Sequence, residues 1–379
     1  MLDGFEVLGD RFQYGLELNL YPLRNLVSPF VDTASLPRSS SSADMIVDTY
    51  YGFTYDSWVS DAKAVYGKTK DLPHYAGEEL ENYGFLRVPF RRVPRRIVKS
   101  QAELEFIVNS IVSADPDIKL LLRGQNREYR LSRSKETLIA LYGDANAIEP
   151  SLLPSSTRRS LDYDIIAAEW FAIIQDFMHE YGAEIAKTLT RRATSEMYEE
   201  QAKIKTTYNL ALFALALAQH YGLPSVGLDV TTNIDTALFF ALSDFSMSPT
   251  DNHLHICKPA PTNSEFPVIY LLSEGSRAHL NYDQFRPKWF PTVRPSMQQA
   301  HFIHTGWGLS KNDCARNIFL ALYLDTSVGK FNTPPVERLF PQRGEDAFGR
   351  FLESLLDQPM SVEMGKFLSY FAWVAPDLP

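Results

Sequence analysis

Residues 215–242 read LALAQHYGLPSVGLDVTTNIDTALFFAL, and the order of element types within this stretch decides the fold. The apolar run at 210–218 predicts the later part of a long helix placed at about 195–220. Gly222 can adopt the left-handed conformation that closes a helix, and Pro224 bars its continuation. A short segment over 226–230 leads into Thr231 and Thr232. Thr232 and Asp235 have the spacing of a helix-opening pair, so a second helix begins within TNIDTALFFAL. The turn at 221–227 therefore folds two helix ends toward one another.

Upstream, Ser100 and Glu103 have capping-box spacing ahead of an apolar run, which predicts a helix over 101–113. IKLLL at 118–122 reads as a short buried strand that ends at Arg123-Gly124-Gln125. A further helix is expected at about 162–181. Downstream, 246–265 is rich in proline and polar residues and reads as a loop. PVIYLL (267–272), HFIHTGW (301–307) and NIFLALYL (317–324) are strand candidates, and GEDAFGRFLESLL (344–356) and SVEMGKFLSYFAWV (361–374) read as terminal helices. Helices and strands mix without regular βα alternation, so the expected class is α+β.

Residues 1–95 carry no sustained period. They are broken by SLPRSSSSAD at 35–44, a loop by composition. RVPFRRVPRRIVK (87–99) is basic and reads as a solvated connector between modules, with a patch for a polyanion as the alternative. The expected organisation is an N-terminal segment of open role over 1–95, a main domain over 96–357, and a C-terminal helix over 358–379 packed on it.

Composition narrows the function. Basic residues number 37 against 46 acidic ones, giving a net charge of −9, so no overall field gathers the chain onto nucleic acid or anionic lipid. The nine-residue run at 210–218 is far short of the ~20 apolar residues that span a bilayer, and MLDGFEVLGD at the start has no secretory pattern. The expectation is a soluble cytoplasmic protein. The two cysteines, Cys257 and Cys314, cannot make a disulfide framework and read as ordinary thiols.

Several stretches together resemble the FRG domain family. Leu-Leu-Arg123-Gly124-Gln125 is similar to the Phe-Arg-Gly-Gln signature, and Leu153-Pro154-Ser155 through Arg158 to the L-x-P-S element that follows it. Residues 215–242 resemble the long Q-H-x-G-L-P motif, with Val226-Gly227 where the family often has Arg-Leu and Val230 where it has Trp. Arg294 through Phe302 is similar to its R-x-x-x-Q-x-G-x-F element, with Ala300 in place of the Gly, and LFP at 339–341 to its closing motif. The resemblance implies a role in stress, toxin or phage-defence biology.

The same residues suggest a binding pocket. Arg123 ends an apolar strand and offers a planar fork for phosphate or carboxylate; its structural alternative is a buried pair with Asp229. Gly124 would let a ligand approach closely. Gln219 and His220 close one helix while Asp229 and Thr231 precede the next, whose free N–H groups favour anions. Arg294 and Gln298 add a third polar pair; Gln298 can orient a ligand but cannot take a proton as a base. Arg123, His220, Asp229 and Gln298 are the candidate catalytic set, with Gly124, Gln125, Gln219, Thr231 and Arg294 as ligand contacts. Such a set suits a nucleotide. An analogy with ADP-ribosyltransferase folds makes NAD the candidate cofactor, with Arg123 on pyrophosphate, Asp229 or Gln298 at the ribose and His220 orienting. No Glu-x-Glu follows Arg123, as such folds would have it. An NAD-cleaving or ADP-ribose-transferring enzyme and a non-catalytic ligand-sensing or protein-interaction module both stay open, with the N-terminal segment available to a protein partner.

Three weaker signals are set aside. Gly67-Lys68-Thr69 lacks the first glycine of a phosphate loop, and Gly306-Trp307-Gly308 the third glycine of a dinucleotide fingerprint. His253-x-His255-x-Cys257 would put three zinc-type ligands on one face of a strand, but it falls in a region read as loop, and no metal is expected.

Overall fold

The computed structural model describes residues 5–7, 46–48, 50–51, 54–55, 79–89, 91–204, 207–247, 253–257, 265–273, 279–285, 289–291, 294–304 and 311–375. The serine-rich stretch at 35–44, Gly67-Lys68-Thr69 and Gly306-Trp307-Gly308 lie outside them. In chain order the elements are β1 (Phe5–Val7), β2 (Ile46–Asp48), β3 (Thr54–Tyr55), β4 (Glu81–Val88), β5 (Arg91–Val98), α1 (Gln101–Ala114), β6 (Leu120–Gln125), α2 (Lys135–Tyr142), α3 (Tyr163–Ala186), α4 (Arg191–Ile204) and α5 (Thr207–His220). There follow β7 (Gly227–Thr231), α6 (Ile234–Ala241), β8 (Asp244–Met247), β9 (His253–Cys257), β10 (Val268–Ser273), β11 (His279–Asn281), α7 (Tyr282–Phe285), α8 (Arg294–Met297), β12 (Ala300–His304), β13 (Ile318–Leu324), α9 (Ala347–Leu355), α10 (Val362–Leu368) and β14 (Trp373–Ala375). The class is α+β, as expected.

Eight strands form the main sheet in the order β11-β12-β7-β6-β10-β13-β5-β4. It is antiparallel except where β13 pairs with β5. Leu122, Ile269, Leu271, Leu320 and Leu322 meet α1 and α6 on one face. Leu121, Val268, Tyr270, Leu272 and Ala321 belong to a second cluster, on the other face. Strands buried on both faces read as continuous apolar runs, which is why LLL and IFLALYL carry no alternation. α5 is apolar nearly all round because it is covered on nearly all sides, with Trp170 of α3 donating its indole N–H to the Ala214 carbonyl at 2.8 Å. No helix among the described residues is long and apolar enough to cross a membrane.

The structure corrects several expectations. The basic stretch 87–99 is not a solvated connector: it supplies the end of β4 and all of β5, which complete one edge of the main sheet. Arg91 and Arg95 are buried there, Arg91 donating to the Arg316 and Ile318 carbonyls and Arg95 lying between Tyr83 and Tyr323. Charge count along the chain missed this because alternate residues of β5 turn inward. The boundary set at 95/96 falls inside β5. Residues 246–265 hold β8 end residues and β9, which pair with each other and with β14 in a second small sheet. The segment 361–374 is a short helix followed by β14 rather than one helix, because Trp373–Ala375 find strand partners in β9. The helix expected at 195–220 is present as α4 and α5. Ser100 caps α1 as read, accepting from Glu103 N. At α6 the cap is Asn233, which accepts from Thr236 N, not Thr232.

β2 is fastened to the body through buried charge. Arg133 reaches Asp48 Oδ2 at 3.1 Å and Glu149 Oε2 at 2.5 Å, with all three side chains within 1% of fully enclosed. Tyr142 donates to Glu149 at 2.8 Å, and Asn312 donates its side-chain amide to the Pro150 carbonyl and its backbone N–H to the Tyr50 carbonyl.

Candidate functional site

The site lies where the main sheet divides. β6 and β7 share one register pair, Leu122 with Thr231. Beyond it the strands part, and Arg123 Nη1 donates to the Asp229 carbonyl across the opening at 2.6 Å. A cavity of about 500 Å³ occupies this region. It is lined by β6, by the end of α5, by β7, by α6 and by residues of the small second sheet, Phe245, Leu254 and Val374.

α5 ends as its sequence dictates. Gly222 takes φ 80°, and Leu223 N returns to the Ala218 carbonyl at 3.0 Å, a left-handed closure that glycine accepts without strain. That closure sets Gln219 and His220 on the cavity wall, facing β7. Gln219 accepts from Ser155 Oγ at 3.3 Å, and Ser155 Oγ in turn accepts from Ser225 N at 3.0 Å, so the turn is braced from the 155–158 helical turn. His220 Nε2 stands 3.5 Å from Asp229 Oδ1, with the imidazole only 1% exposed.

Arg123, Gly124, Gln219, His220, Asp229, Thr231, Arg294 and Gln298 all line this one cavity. Gln125 does not; its Oε1 is buried without a hydrogen-bond partner one strand position beyond the opening. Thr231 Oγ1 donates to the Gln298 carbonyl at 2.8 Å, joining β7 to the turn before β12. Gln298 spends its amide on the Leu339 carbonyl at 3.1 Å, which holds the LFP segment against the site. Gly124 has a role other than the one expected: a Cβ there would lie 1.9 Å from the Ala237 carbonyl, so its bare backbone is what lets α6 pack on β6. Arg123 and Asp229 touch through the Asp229 carbonyl and not through their charged groups as a structural pair would.

Sequence reading missed the aromatic side of the cavity. Phe240 and Phe245 stack at 5.8 Å with 30° between their planes, and Phe340 lies against Phe240 at 6.3 Å. At the wall opposite α6, the exposed Arg159 lies over Tyr370 at 4.5 Å. Phe240 and Phe340 sit inside motifs whose apolar letters look like core; nothing in the sequence ties Tyr370, far down the chain, to Arg159.

Several polar atoms here have no partner: Arg123 Nε, both ring nitrogens of His220, Asp229 Oδ1 and Arg294 Nε. Buried polar atoms are almost always satisfied, so such a concentration within one cavity is unusual. Burial pushes the Asp229 carboxyl up to about 7, against the opposing pull of Arg123 and a hydrogen bond from Gln219. Burial, with the Arg294 charge behind it, pushes His220 down to about 3, while Gln298 pulls the other way. At neutral pH the imidazole is therefore neutral, one nitrogen able to donate and the other to accept, and Asp229 is poised to hold or release a proton. Arg123 is lowered by burial, with the Asp229 charge opposing, and stays a cation. No cluster of His, Cys, Asp and Glu among the described residues could hold a metal ion.

Fold and cavity together define an α+β protein with a polar, aromatic-walled pocket at a split in its sheet. Residues 119–249 match the family model of the FRG domain, so the chain carries an FRG domain across that span. The span includes Arg123, Gly124, Gln219, His220, Asp229 and Thr231, whereas Arg294 and Gln298 enter the cavity from beyond it. No curated protein and no solved structure matches the chain.

Proposed function

We propose that the FRG domain binds an anionic, nucleotide-like small molecule in this cavity, with NAD and ADP-ribose compounds as the first candidates. The observation that carries the reading is the set of unpartnered polar atoms on Arg123, His220, Asp229 and Arg294 around one cavity of about 500 Å³. A volume of that size suits a ligand of nucleotide scale. Arg123 would hold a phosphate through its guanidinium. Neutral His220 would orient a hydroxyl or ring nitrogen. The faces of Phe240, Phe245 and Tyr370 would take a base by stacking. Proteins of this kind would act in the cytoplasm, in stress, toxin or phage-defence settings.

Whether chemistry follows binding depends on Asp229. Its carboxylate beside the ribose would stabilise positive charge developing as the nicotinamide bond breaks, with water adding to give ADP-ribose and free nicotinamide. The absence of a Glu-x-Glu after Arg123 favours the second reading, a ligand sensor without turnover. Incubating the full chain with NAD, followed by mass spectrometry and a parallel titration, separates the two. Released nicotinamide that disappears in Arg123→Ala supports the enzyme. Saturable binding without product supports the sensor. Equal inertness of wild type and Arg123→Ala toward NAD, ADP-ribose and common nucleotides overturns both.

A further inference from the structure

The cavity contains a second buried cation that single-phosphate recognition leaves unused. Arg294, in the short helix ahead of β12, is 3% exposed. Its guanidinium lies 4.5 Å from the Tyr221 ring centre and 5.4 Å from that of Phe340, and its Nη1 donates to the His220 carbonyl at 3.0 Å. Its Nε has no partner, and no carboxylate among the described residues pairs with it. The acid that Tyr221 brings near, Asp346, already accepts the Tyr221 hydroxyl at 2.8 Å and Gly349 N at 2.9 Å as the cap of α9. A guanidinium removed from water and left without a counter-charge is unfavourable unless an anion joins it.

Contacts connect this cation to the first. Arg123 Nη1 holds the Asp229 carbonyl, Asp229 Oδ1 stands 3.5 Å from His220, and the His220 carbonyl is held by Arg294. The two guanidinium groups thus flank the His220–Asp229 pair, and both line the same cavity. We infer that Arg294 forms a second anion subsite beside Arg123, so that the cavity takes a ligand bearing a diphosphate rather than a monophosphate. One phosphoryl group would satisfy one guanidinium and leave the other uncompensated; two adjacent phosphoryl groups satisfy both. This inference rests on the anion-binding reading above and adds to it a role for Arg294 in holding the second phosphoryl group of such a ligand.

Calorimetric titration of the full chain with ADP, AMP, inorganic pyrophosphate and orthophosphate tests it. The expected result is ADP binding at least about tenfold tighter than AMP, and pyrophosphate tighter than orthophosphate. Arg294→Gln should bring ADP to within about threefold of AMP while AMP itself changes by less than about threefold. Arg294→Lys, which keeps the charge but not the fork, should retain part of the difference. Should Arg294→Gln fail to fold, the wild-type ADP-to-AMP ratio and the Lys variant decide. Equal affinity for ADP and AMP in the wild type, or an equal loss of both in either variant, overturns the second subsite while leaving the first intact. No binding by any of the four probes removes the anion-binding reading and this inference together.

Discussion

Around Arg133 every buried charge meets a partner, whereas around Arg123 several buried polar atoms meet none. Arg133 is clasped by Asp48 and Glu149, with Tyr142 donating to Glu149. Burial raises both carboxyls there, and the arginine pulls them back down. The cluster ties β2 to the loop segments around α2 and leaves nothing for an outside group. The Arg123 cluster also buries charge, with arginines, an acid and a histidine, yet its geometry leaves Nε, Oδ1 and both imidazole nitrogens without a hydrogen-bond partner. Burial of charge therefore does not by itself mark function.

The contrast is sharpest in stability. Arg133→Met strands two buried carboxylates and should lower unfolding free energy by ~3–5 kcal/mol, read by urea denaturation. A loss under about 1 kcal/mol would mean the cluster is not the paired anchor described. Gly124→Ala should follow, at ~1–3 kcal/mol, because the added methyl meets the Ala237 carbonyl and the α6 backbone has no room to give. It should weaken ligand binding as well, since Arg123 is the preceding residue.

Arg123→Ala inverts the pattern. Affinity for ADP-ribose should fall about 10–100-fold, the value of hydrogen bonds to a charged group, while the melting point stays close to that of the wild type. A further expected effect is one of pH. Asp229 holds its proton until about 7 in the folded chain, against an ordinary 3.8. The folded state thus binds more protons than the unfolded one between these values. The stability this proton contributes is complete below 3.8 and is lost as pH rises through about 7. Anion affinity should fall over the same rise, by at most about tenfold per pH unit, as the carboxyl turns negative. Asp229→Asn should flatten that slope. His220 runs in the opposite sense: its neutral form stabilises the fold above the ordinary 6.5, and this is lost as pH falls toward about 3. A His220→Gln variant should therefore lose less stability on acidification than the wild type.

Much of this arrangement was legible in residues 215–242. The helix end at Gly222, the strand carrying Asp229 and the helix that follows all stand where turn chemistry puts them, and eight of the nine residues singled out share the cavity. The ninth, Gln125, shows the limit: a motif says which residues travel together, not where a strand passes out of the site. Local chemistry also failed to show long-range pairing. The pairing of the basic strand β5 with β13, the partnership of β9 with β14 and the meeting of Arg159 with Tyr370 depend on segments far apart in sequence. Gly124 was read as room for a ligand, but the room is taken by α6, which only packing reveals.

If an anion completes the unpartnered atoms around Arg123, ADP-ribose should bind there and depend on that guanidinium. Calorimetric titration of ADP-ribose into wild type and Arg123→Ala, with Arg133→Lys as a control for charge loss elsewhere, tests it most directly. Saturable one-to-one binding to the wild type is expected, with a loss of about 10–100-fold in Arg123→Ala and unchanged affinity in folded Arg133→Lys. Equal heats from wild type and Arg123→Ala, or a larger loss at Arg133 than at Arg123, would contradict it.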